Sequence, residues 1–365
     1  MGKTKNKKRK RRIWLIVIAS VIILIALYQF AYDRFSEKEK DLRVQLREEV
    51  ERRFPDQAEK VAATYGLYHF ETNRNLRQDA NPTEDPVVLI HGLDDPEKVW
   101  RNLAPTLVKE GFDVWKMQYP NDQPIRDSAR LFFERLKIFK KLGAERIMIV
   151  GHSMGGLVSR EALTNPDFDY IEMARNGEVP EAVELILVGT PNHGSEFVRF
   201  RVLAEFREQW IRADRGEGHW LRGILDGVGE AKIDLLPGSQ FLTQLNARPH
   251  PEGVRMSIIA GIATPLDDEK IAVFIASNRE KLPENTHNML KGLEEALRSA
   301  THGLGDGLVT VSSTRLDGVP HQTVRGTHLS IIRNYVKSSE REPPAVPIIV
   351  DQLKLWKAAN AIPDK

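Results

Sequence analysis

Hydrophobic and polar positions divide the chain into three parts of different character. Residues 13–32 are an unbroken apolar run without a charged residue, and residues 33–65 are dense in charge. From residue 66 onward, short apolar runs alternate with longer amphipathic segments. That alternation is typical of a mostly parallel sheet covered by helices, so we predict an α/β domain over residues 66–365.

The predicted elements of this domain follow from the periods of its apolar positions. Strands are predicted over residues 86–90, 112–119, 146–150, 183–188, 254–260 and 322–325. Helices are predicted over residues 128–142, 285–300 and 348–359. A further helix is predicted to begin at Asp95-Pro96, because Asp caps a helix and Pro fits its first turn.

The apolar run 13–32 has the length of a transmembrane helix. Twenty residues at about 1.5 Å each cross a hydrocarbon core of roughly 30 Å. Trp14 stands at one end and Tyr28 and Tyr32 stand at the other, as in an interfacial aromatic belt. The run exceeds the usual apolar core of a signal peptide, and no small-x-small cleavage site follows it. We therefore expect an uncleaved signal anchor.

The first twelve residues set the expected orientation of this anchor. They contain eight Lys and Arg and no acidic residue. By the positive-inside rule, this basic tail (1–12) is cytoplasmic and the rest of the chain lies on the far side of the membrane. A bacterial inner membrane facing the periplasm is the first expectation, and an endomembrane lumen is the second.

The charged segment 33–65 is predicted to be helical. Its apolar residues recur at every fourth position, at Leu42, Leu46, Val50 and Phe54, and form one narrow stripe that ends at Pro55. A solvated stalk helix that also packs on the domain explains this stripe. A dimer seam is the alternative, and the oligomeric state stays open.

Charge and cysteine content exclude several classes of function. Without the basic tail, the chain holds 45 Lys and Arg against 51 Asp and Glu, a formal charge of −6. An acidic body argues against nucleic acid as a partner, since a binding domain carries a basic patch. No cysteine occurs, which excludes disulfides, thiolate metal sites and cysteine nucleophiles.

A nucleophile motif follows the third predicted strand. Gly151-His152-Ser153-Met154-Gly155-Gly156 lies between that strand and a helical segment, in the strand, G-x-S-x-G, helix order of a nucleophile elbow. The sharp turn requires small flanking residues. It also places Ser153 at a helix N-terminus, where the Met154 amide can stabilise an oxyanion.

A second oxyanion donor is predicted at the end of the first strand, in His91-Gly92-Leu93. Gly92 permits close approach of the backbone, and the Leu93 N–H is the expected donor. His91 is expected to support this loop rather than to touch substrate.

Three motifs together resemble the lipase/esterase branch of the α/β-hydrolase superfamily. They are the HG pair, GHSMGG and the run Gly189-Thr-Pro-Asn-His-Gly-Ser195 after the fourth strand. The chain is most similar to the group that includes bacterial triacylglycerol lipases and GPI inositol-deacylases, over roughly residues 86–335. The resemblance implies an α/β-hydrolase fold with a cap inserted at about residues 196–253. Aromatic and aliphatic residues of this insertion either line an acyl pocket or form the core of the cap itself.

The rest of the catalytic triad is predicted from chain order and from this resemblance. The fold supplies an acid and then a histidine after the serine. Asp306, in Gly305-Asp306-Gly307-Leu308-Val309, matches the stretch in which lipase-like relatives carry their acid. His328 follows the last predicted strand, where relatives carry the base. The rival base is His321, and the rival acids are Asp317 and Asp267.

These features together predict hydrolysis of a carboxylic ester through an acyl-enzyme on Ser153. The anchor makes a lipid or another acylated, membrane-proximal substrate the expected class. The mechanism requires no cofactor, and no metal-binding motif is present in the sequence. The alternatives are an acyltransferase that uses the same triad and a membrane-tethered binding domain without catalysis.

Overall fold

A computed structural model describes most of the chain beyond its N-terminal segment. The described residues are 38, 40–76, 81–93, 98–198, 229–264, 268–279 and 287–360. The predicted anchor, Asp95-Pro96, the rival acid Asp267 and most of the predicted cap lie outside them. No helix in the described part of the chain has the length and apolarity needed to span a bilayer.

The centre of the domain is a seven-stranded sheet in the order β1-β3-β2-β4-β5-β6-β7. The strands are β1 (Gly66–His69), β2 (Val87–Ile90), β3 (Val114–Gln118), β4 (Arg146–His152), β5 (Glu181–Val188), β6 (Arg255–Ile262) and β7 (His321–Arg325). Only β1 is antiparallel, and it pairs with β3 at one edge. All other neighbouring strands are parallel, so their carboxyl ends meet at one edge of the sheet. The mostly parallel sheet of the predicted α/β-hydrolase fold is thereby confirmed, and the cap and the membrane helix stay predictions.

Helices lie before, between and after these strands. They are α1 (40–53), α2 (Pro55–Ala62), a 3₁₀ turn (Lys98–Trp100), α3 (Leu103–Lys109), α4 (Ile125–Lys141), α5 (Met154–Thr164), α6 (Tyr170–Arg175), α7 (Glu230–Asp234), α8 (Gln240–Asn246), α9 (Asp268–Arg279), α10 (His287–Leu304), α11 (Val311–Thr314) and α12 (Ala345–Asn360). The helix predicted over residues 33–65 is interrupted at Phe54, between α1 and α2. The sequence pattern did not predict the short edge strand β1 or the helices α6, α9 and α11.

Both faces of the sheet are buried, and β4 shows how. Ile147 and Ile149 belong to the apolar cluster on one face, together with Phe132 and other residues of α4. Met148 and Val150 belong to the cluster on the other face, together with residues of α3 and α12. Successive side chains of a strand point to opposite faces, so a strand that is covered on both sides reads as a continuous apolar run.

Helix α4 begins three residues earlier than predicted, because its first turn contacts a residue distant in the sequence. The backbone N–H of Ile125, its first residue, donates to Oδ2 of Asp234 at 2.9 Å. Asp234 is fully buried at the end of α7. A carboxylate at a helix N-terminus satisfies an otherwise unpaired donor and interacts favourably with the helix dipole. The periodicity of apolar residues gives no information about such a long-range contact.

Helix α1 packs on the domain through its charged side. Lys40 forms an ion pair with the same Asp234, and Arg47 donates to Asp127 of α4 at 2.8 Å. Of the predicted apolar stripe, Val50 is buried, whereas Leu42 and Leu46 are 66% and 46% exposed. The helical segment is thus held by long-range ion pairs, and part of its apolar stripe lies in solvent.

The contact between α1 and Asp234 yields a stability prediction. Asp234→Ala leaves Lys40 and the Ile125 N–H without their buried acceptor, so we expect the free energy of unfolding to fall by about 3 kcal/mol. Glu252→Ala removes an exposed partner of Arg175 and should cost less than about 1 kcal/mol. Denaturant unfolding measures both values, and hydrogen exchange of residues 40–53 should accelerate only in Asp234→Ala. Equal losses in the two variants would contradict this account of α1.

Candidate active site

Ser153 lies at the turn between β4 and α5, in a strained backbone conformation. Its φ and ψ are 55° and −129°, in a region that residues other than glycine seldom occupy. Its backbone N–H donates to the carbonyl oxygen of Val188 on β5 at 2.8 Å, which ties the turn to the sheet. The sequence-predicted elbow is therefore present in the structure, at the carboxyl edge of the sheet.

The flanking glycines are explained by close contacts between backbone atoms. A Cβ on Gly155 would lie 2.0 Å from the carbonyl oxygen of Ile90, and a Cβ on Gly151 would lie 2.6 Å from Cα of Gly156. Real Cβ atoms do not approach other atoms so closely. Any side chain at these positions would separate α5 from β2 and open the turn.

His328 and Asp306 are in direct contact. Nδ1 of His328 lies 2.7 Å from Oδ2 of Asp306, and the backbone N–H of His328 donates to the carbonyl oxygen of Asp306 at 2.9 Å. Both side chains are buried. A carboxylate at Nδ1 selects the tautomer with the proton on Nδ1, which leaves Nε2 as the basic atom of the neutral ring.

The second oxygen of Asp306 is held by the backbone. Oδ1 accepts hydrogen bonds from the amides of Leu308 at 2.9 Å and Val309 at 2.8 Å. Burial acts to raise the pKa of Asp306, but the neighbouring His328 and the two amide donors outweigh it, so the net pKa lies below the usual value. Asp306 is therefore ionised, and its orientation is set by three hydrogen bonds.

The loop after β2 passes directly against Ser153. A Cβ on Gly92 would lie 2.6 Å from Cβ and 3.0 Å from Oγ of Ser153, so only glycine allows this approach. Leu93, the predicted oxyanion donor, lines the cleft beside Ser153. His91 is fully buried and stacks on Tyr119 with ring centroids 4.4 Å apart, as expected for a residue that supports the loop.

The rival acid and base occupy other positions. His321 begins β7, and its Nε2 lies 2.9 Å from Oγ1 of Thr314. Burial lowers its pKa to about 4. Asp317 accepts a hydrogen bond from His250 through its backbone carbonyl oxygen. In the described part of the chain, neither His321 nor Asp317 hydrogen-bonds to Asp306 or His328.

His152 is a site neighbour that sequence reasoning missed. Its ring is buried, its Nε2 donates to the carbonyl oxygen of His328 at 2.9 Å, and the two ring centroids are 4.8 Å apart. Burial, assisted by the nearby His328, lowers the pKa of His152 to about 3. The residue immediately before Ser153 therefore acts as a neutral tether for the loop that carries His328. Its position in the variable site of G-x-S-x-G gave no signal of this contact.

The GTPNHGS motif, residues 189–195, forms hydrogen bonds that connect several elements just before the predicted cap. Asn192 is fully buried, accepts a hydrogen bond from Arg160 at 3.0 Å and donates to the carbonyl oxygen of Thr314 at 2.7 Å. Arg160 also donates to Asn246 of α8 at 3.0 Å. Burial lowers the pKa of Arg160 to about 10, which leaves it charged at neutral pH. The Arg160 cation thus joins α5 to the motif and to α8, and the Asn192 amide joins the motif to the segment at Thr314.

A cleft of about 580 Å³ opens over Ser153 and His328. Much of its wall is apolar and includes Leu93, Phe197, Val198, Leu235, Leu308 and Leu329. Phe197 and Val198 come from the described start of the predicted cap, and Leu235 comes from its second described stretch, residues 229–253. Lys98, Lys232 and Arg333 are the Lys and Arg side chains among the described residues of the wall. No three His, Asp or Glu side chains of the described residues come together as a metal site would require.

The sheet order, the strained serine and the buried carboxylate–histidine pair together form the arrangement expected of an α/β-hydrolase fold. Residues 134–213 match the family profile of the PGAP1-like alpha/beta domain. Over 129 residues, the chain is 28% identical to a triacylglycerol lipase of Pseudarthrobacter phenanthrenivorans and 28% identical to one of Burkholderia plantarii. These matches cover 32% of the chain and 36% and 32% of the two relatives, so the chain spans about a third of their length.

Solved structures with a similar layout include two bacterial lipases. A mature lipase of Bacillus licheniformis is 20% identical, with a TM-score of 0.45 over 74% of this chain and 93% of that one. The lipase of Staphylococcus hyicus is 14% identical, with a TM-score of 0.49 over 77% and 98%. Likeness of this degree carries no information on substrate. The family profile and the two lipase matches confirm the predicted resemblance to the lipase/esterase branch of the α/β hydrolases.

The buried His152 yields a prediction on pH and stability. Its pKa is about 3 in the folded protein and 6.5 ordinarily, so the unfolded chain takes up a proton first as the pH falls. The stabilisation is complete above pH 6.5 and is lost as the pH falls towards 3. Between pH 7 and pH 5, His152 should account for a loss of about 2 kcal/mol in the free energy of unfolding.

His152→Gln tests this value, because glutamine retains a donor for the carbonyl oxygen of His328 and takes up no proton. Denaturant unfolding of both proteins at pH 7 and pH 5 gives the comparison. The wild type should lose about 2 kcal/mol more than the variant over this interval. The same pH dependence in both proteins would show that His152 is not the titrating group.

Proposed function

We propose that the protein is a serine esterase that cleaves a carboxylic ester of a lipid or of another acylated, membrane-proximal substrate. One observation carries the proposal: Ser153 and His328 line the same largely apolar cleft, and Asp306 is hydrogen-bonded to His328 behind it. A strained serine, an imidazole and a buried carboxylate are the groups that acyl transfer to serine requires.

In the proposed mechanism, Nε2 of His328 removes the proton of Ser153 as Oγ attacks the ester carbonyl. The ionised Asp306 holds the imidazole in the required tautomer and stabilises the imidazolium that forms. The imidazolium then protonates the departing alcohol and leaves an acyl-enzyme on Ser153. Water, activated by the same imidazole, attacks the acyl-enzyme and releases the acid.

We assign the oxyanion hole to the backbone amides of Leu93 and Met154. Met154 is the first residue of α5, where the amide points out of the helix and the dipole favours negative charge. The tight approach of Gly92 to Ser153 supports the assignment of Leu93, because it brings the following amide close to the reacting centre. Each such donor contributes typically about 3 kcal/mol to stabilisation of the transition state.

The lipid part of the proposal rests on the cleft and on the relatives. The apolar wall suits an acyl chain. The two sequence relatives are triacylglycerol lipases, which supports a lipid ester as the substrate. We further propose that residues 196–253 form a cap over the cleft, because Phe197 and Leu235, one from each described part of this range, both contribute to the wall.

We also propose that residues 13–32 anchor the protein in a membrane, with residues 1–12 in the cytoplasm and the hydrolase domain on the far side, facing the periplasm in a bacterial cell. The packing of α1 supports a short connection between anchor and cleft. Lys40 contacts Asp234, and Lys232 of the same helix α7 lines the cleft. The eight residues from Tyr32 to Lys40 reach at most about 30 Å when extended, so the bilayer surface lies within reach of the cleft.

The serine mechanism predicts a specific pattern of covalent labelling and activity. A fluorophosphonate should label Ser153 in the wild type and should not label Ser153→Ala. Asp306→Asn should lower kcat for a short-chain ester by about 10⁴-fold, because the neutral amide leaves the imidazole in the wrong tautomer. Asp317→Asn, at the rival Asp-Gly pair, should retain wild-type kcat.

Two outcomes would contradict the proposal. Ester hydrolysis that survives Ser153→Ala would place the nucleophile elsewhere. Absence of labelling in the folded wild type would favour a binding role without catalysis. Adding an acceptor alcohol and analysing the products separates hydrolysis from acyl transfer, since transfer yields a new ester in place of the free acid.

The anchor predicts how the protein is distributed between cell fractions. The full chain should sediment with membranes and resist extraction with high salt or alkaline carbonate. A chain that begins at residue 33 and is exported by a cleavable signal should appear in the soluble extracytoplasmic fraction. Equal distribution of the two proteins, or protection of the hydrolase domain from external protease in spheroplasts, would contradict the anchor or its orientation.

A further inference from the structure

Ser195, the last residue of the GTPNHGS motif, joins two parts of the cleft wall. It is buried, and it lines the cleft together with Ser153 and His328. Its backbone N–H donates to the carbonyl oxygen of Leu235 at 2.9 Å, and its hydroxyl donates to the carbonyl oxygen of Leu308. A carbonyl oxygen carries no proton, so the serine hydroxyl is the donor of the second bond. Leu235 and Leu308 both belong to the apolar part of the wall.

The peptide group between Leu308 and Val309 continues this connection to the acid. The carbonyl oxygen of Leu308 and the N–H of Val309 belong to one planar unit. That N–H donates to Oδ1 of Asp306 at 2.8 Å, and Oδ2 of Asp306 lies 2.7 Å from Nδ1 of His328. A continuous chain of hydrogen bonds therefore runs from the Ser195 hydroxyl, through one peptide group and one carboxylate, to the imidazole.

Hydrogen bonds in such a chain strengthen one another. A donor at the carbonyl end of a peptide group draws electron density towards the oxygen, which makes the N–H at the other end a stronger donor. The bond from Ser195 therefore fixes the orientation of the peptide group 308–309 and strengthens its contact with Asp306. The carboxylate is then held in place while the imidazole gains charge during the reaction.

The position of the Ser195 hydroxyl is itself set by its neighbours. The hydroxyl of Ser313 donates to the carbonyl oxygen of Gly194, and the backbone N–H of His193 donates to the carbonyl oxygen of Ser313 at 3.0 Å. A Cβ on Gly194 would lie 2.6 Å from the backbone nitrogen of Pro237, so the chain before Ser195 packs tightly against the segment after α7. The hydroxyl is thus in place before a substrate enters the cleft.

We propose that Ser195 is a positioning residue that acts on Asp306 through the peptide group 308–309. This inference rests on the proposed esterase function and extends its machinery to the motif after β5. Positive charge develops on His328 only as Ser153 loses its proton, so support of the carboxylate stabilises the transition state more than the bound substrate. Loss of this support lowers kcat and kcat/KM equally and leaves KM unchanged.

Ser195→Ala tests the proposal, because it removes the hydroxyl and retains the backbone bond to Leu235. We expect kcat for a short-chain ester to fall about threefold to tenfold, the range that loss of one neutral hydrogen bond produces. KM should stay at the wild-type value. Ser195→Thr keeps a hydroxyl and should recover most of kcat. Active sites are counted by fluorophosphonate labelling, so a misfolded fraction does not affect the value of kcat.

Ser128→Ala is the matched control. Ser128 is buried in α4, and its hydroxyl also donates to a backbone carbonyl oxygen, that of Pro120, at 3.2 Å. Neither residue is among the described residues that line the cleft. Denaturant unfolding compares the stability of the two alanine variants. We expect both to lose stability, whereas kcat per active site should fall only in Ser195→Ala.

A double-mutant cycle shows whether Ser195 acts through the acid. In the Asp306→Asn background, Ser195→Ala should cause no further loss, because residues that act as one unit are not additive. A hydroxyl that contacts the substrate directly would instead lower activity by the same factor in both backgrounds. The rate of fluorophosphonate labelling at Ser153 depends on the same base and serves where turnover is too slow to measure.

The outcomes separate this inference from the proposed function. Unchanged kcat in Ser195→Ala, a rise in KM in place of a fall in kcat, or the same loss in both backgrounds would overturn the role of Ser195 while leaving the esterase in place. If the wild type hydrolyses no ester and Ser153 does not react with a fluorophosphonate, the esterase proposal fails and the role of Ser195 fails with it.

Discussion

The packing of backbone against backbone at Ser153 is the constraint on which the rest of the site depends. Ser153 holds a strained conformation because Gly155 lies against the carbonyl of Ile90 and Gly92 lies against Ser153 itself. A strained residue of this kind persists only where its surroundings determine it fully. The parallel strands β2, β4 and β5 provide those surroundings, since the turn, the loop after β2 and the carbonyl of Val188 all meet at their carboxyl ends.

A second set of contacts holds the groups around this turn in place, and most of them involve buried charge or buried polar atoms. Asp306 is oriented by the amides of Leu308 and Val309, and His152 tethers the His328 loop. Farther out, Asp234 joins α1 to α4 and to the helix that contributes Lys232 to the cleft. Removal of one partner from such a contact leaves a desolvated group unpaired. Substitutions at these few positions are therefore expected to lower the stability of the protein strongly.

Much of the fold and part of the site could be predicted from local pattern. The core strands were located because a strand buried on both faces is a continuous apolar run, and Ser153 was located because its turn demands glycines at fixed spacing. The pairing of Asp306 with His328 came from chain order and family resemblance, and the structure brings the two side chains together at 2.7 Å. Edge strand β1 and the early start of α4 were missed, since the former is only four residues long and the latter depends on a carboxylate 109 residues away.

The sequence by itself determined the class of fold, the nucleophile elbow and the apolar run that we propose as a membrane anchor, because each is encoded in a short stretch of periodic or closely spaced residues. Only the tertiary structure decided what surrounds Ser153. Lys98, Lys232 and Arg333 are scattered over more than two hundred residues and carry no motif, yet the folded chain places all three in one cleft. His152 likewise gains its role from a carbonyl 176 residues further along the chain. Charge and hydrogen bonding act through space, so the chemistry of the cleft appears only once the strands have brought its walls together.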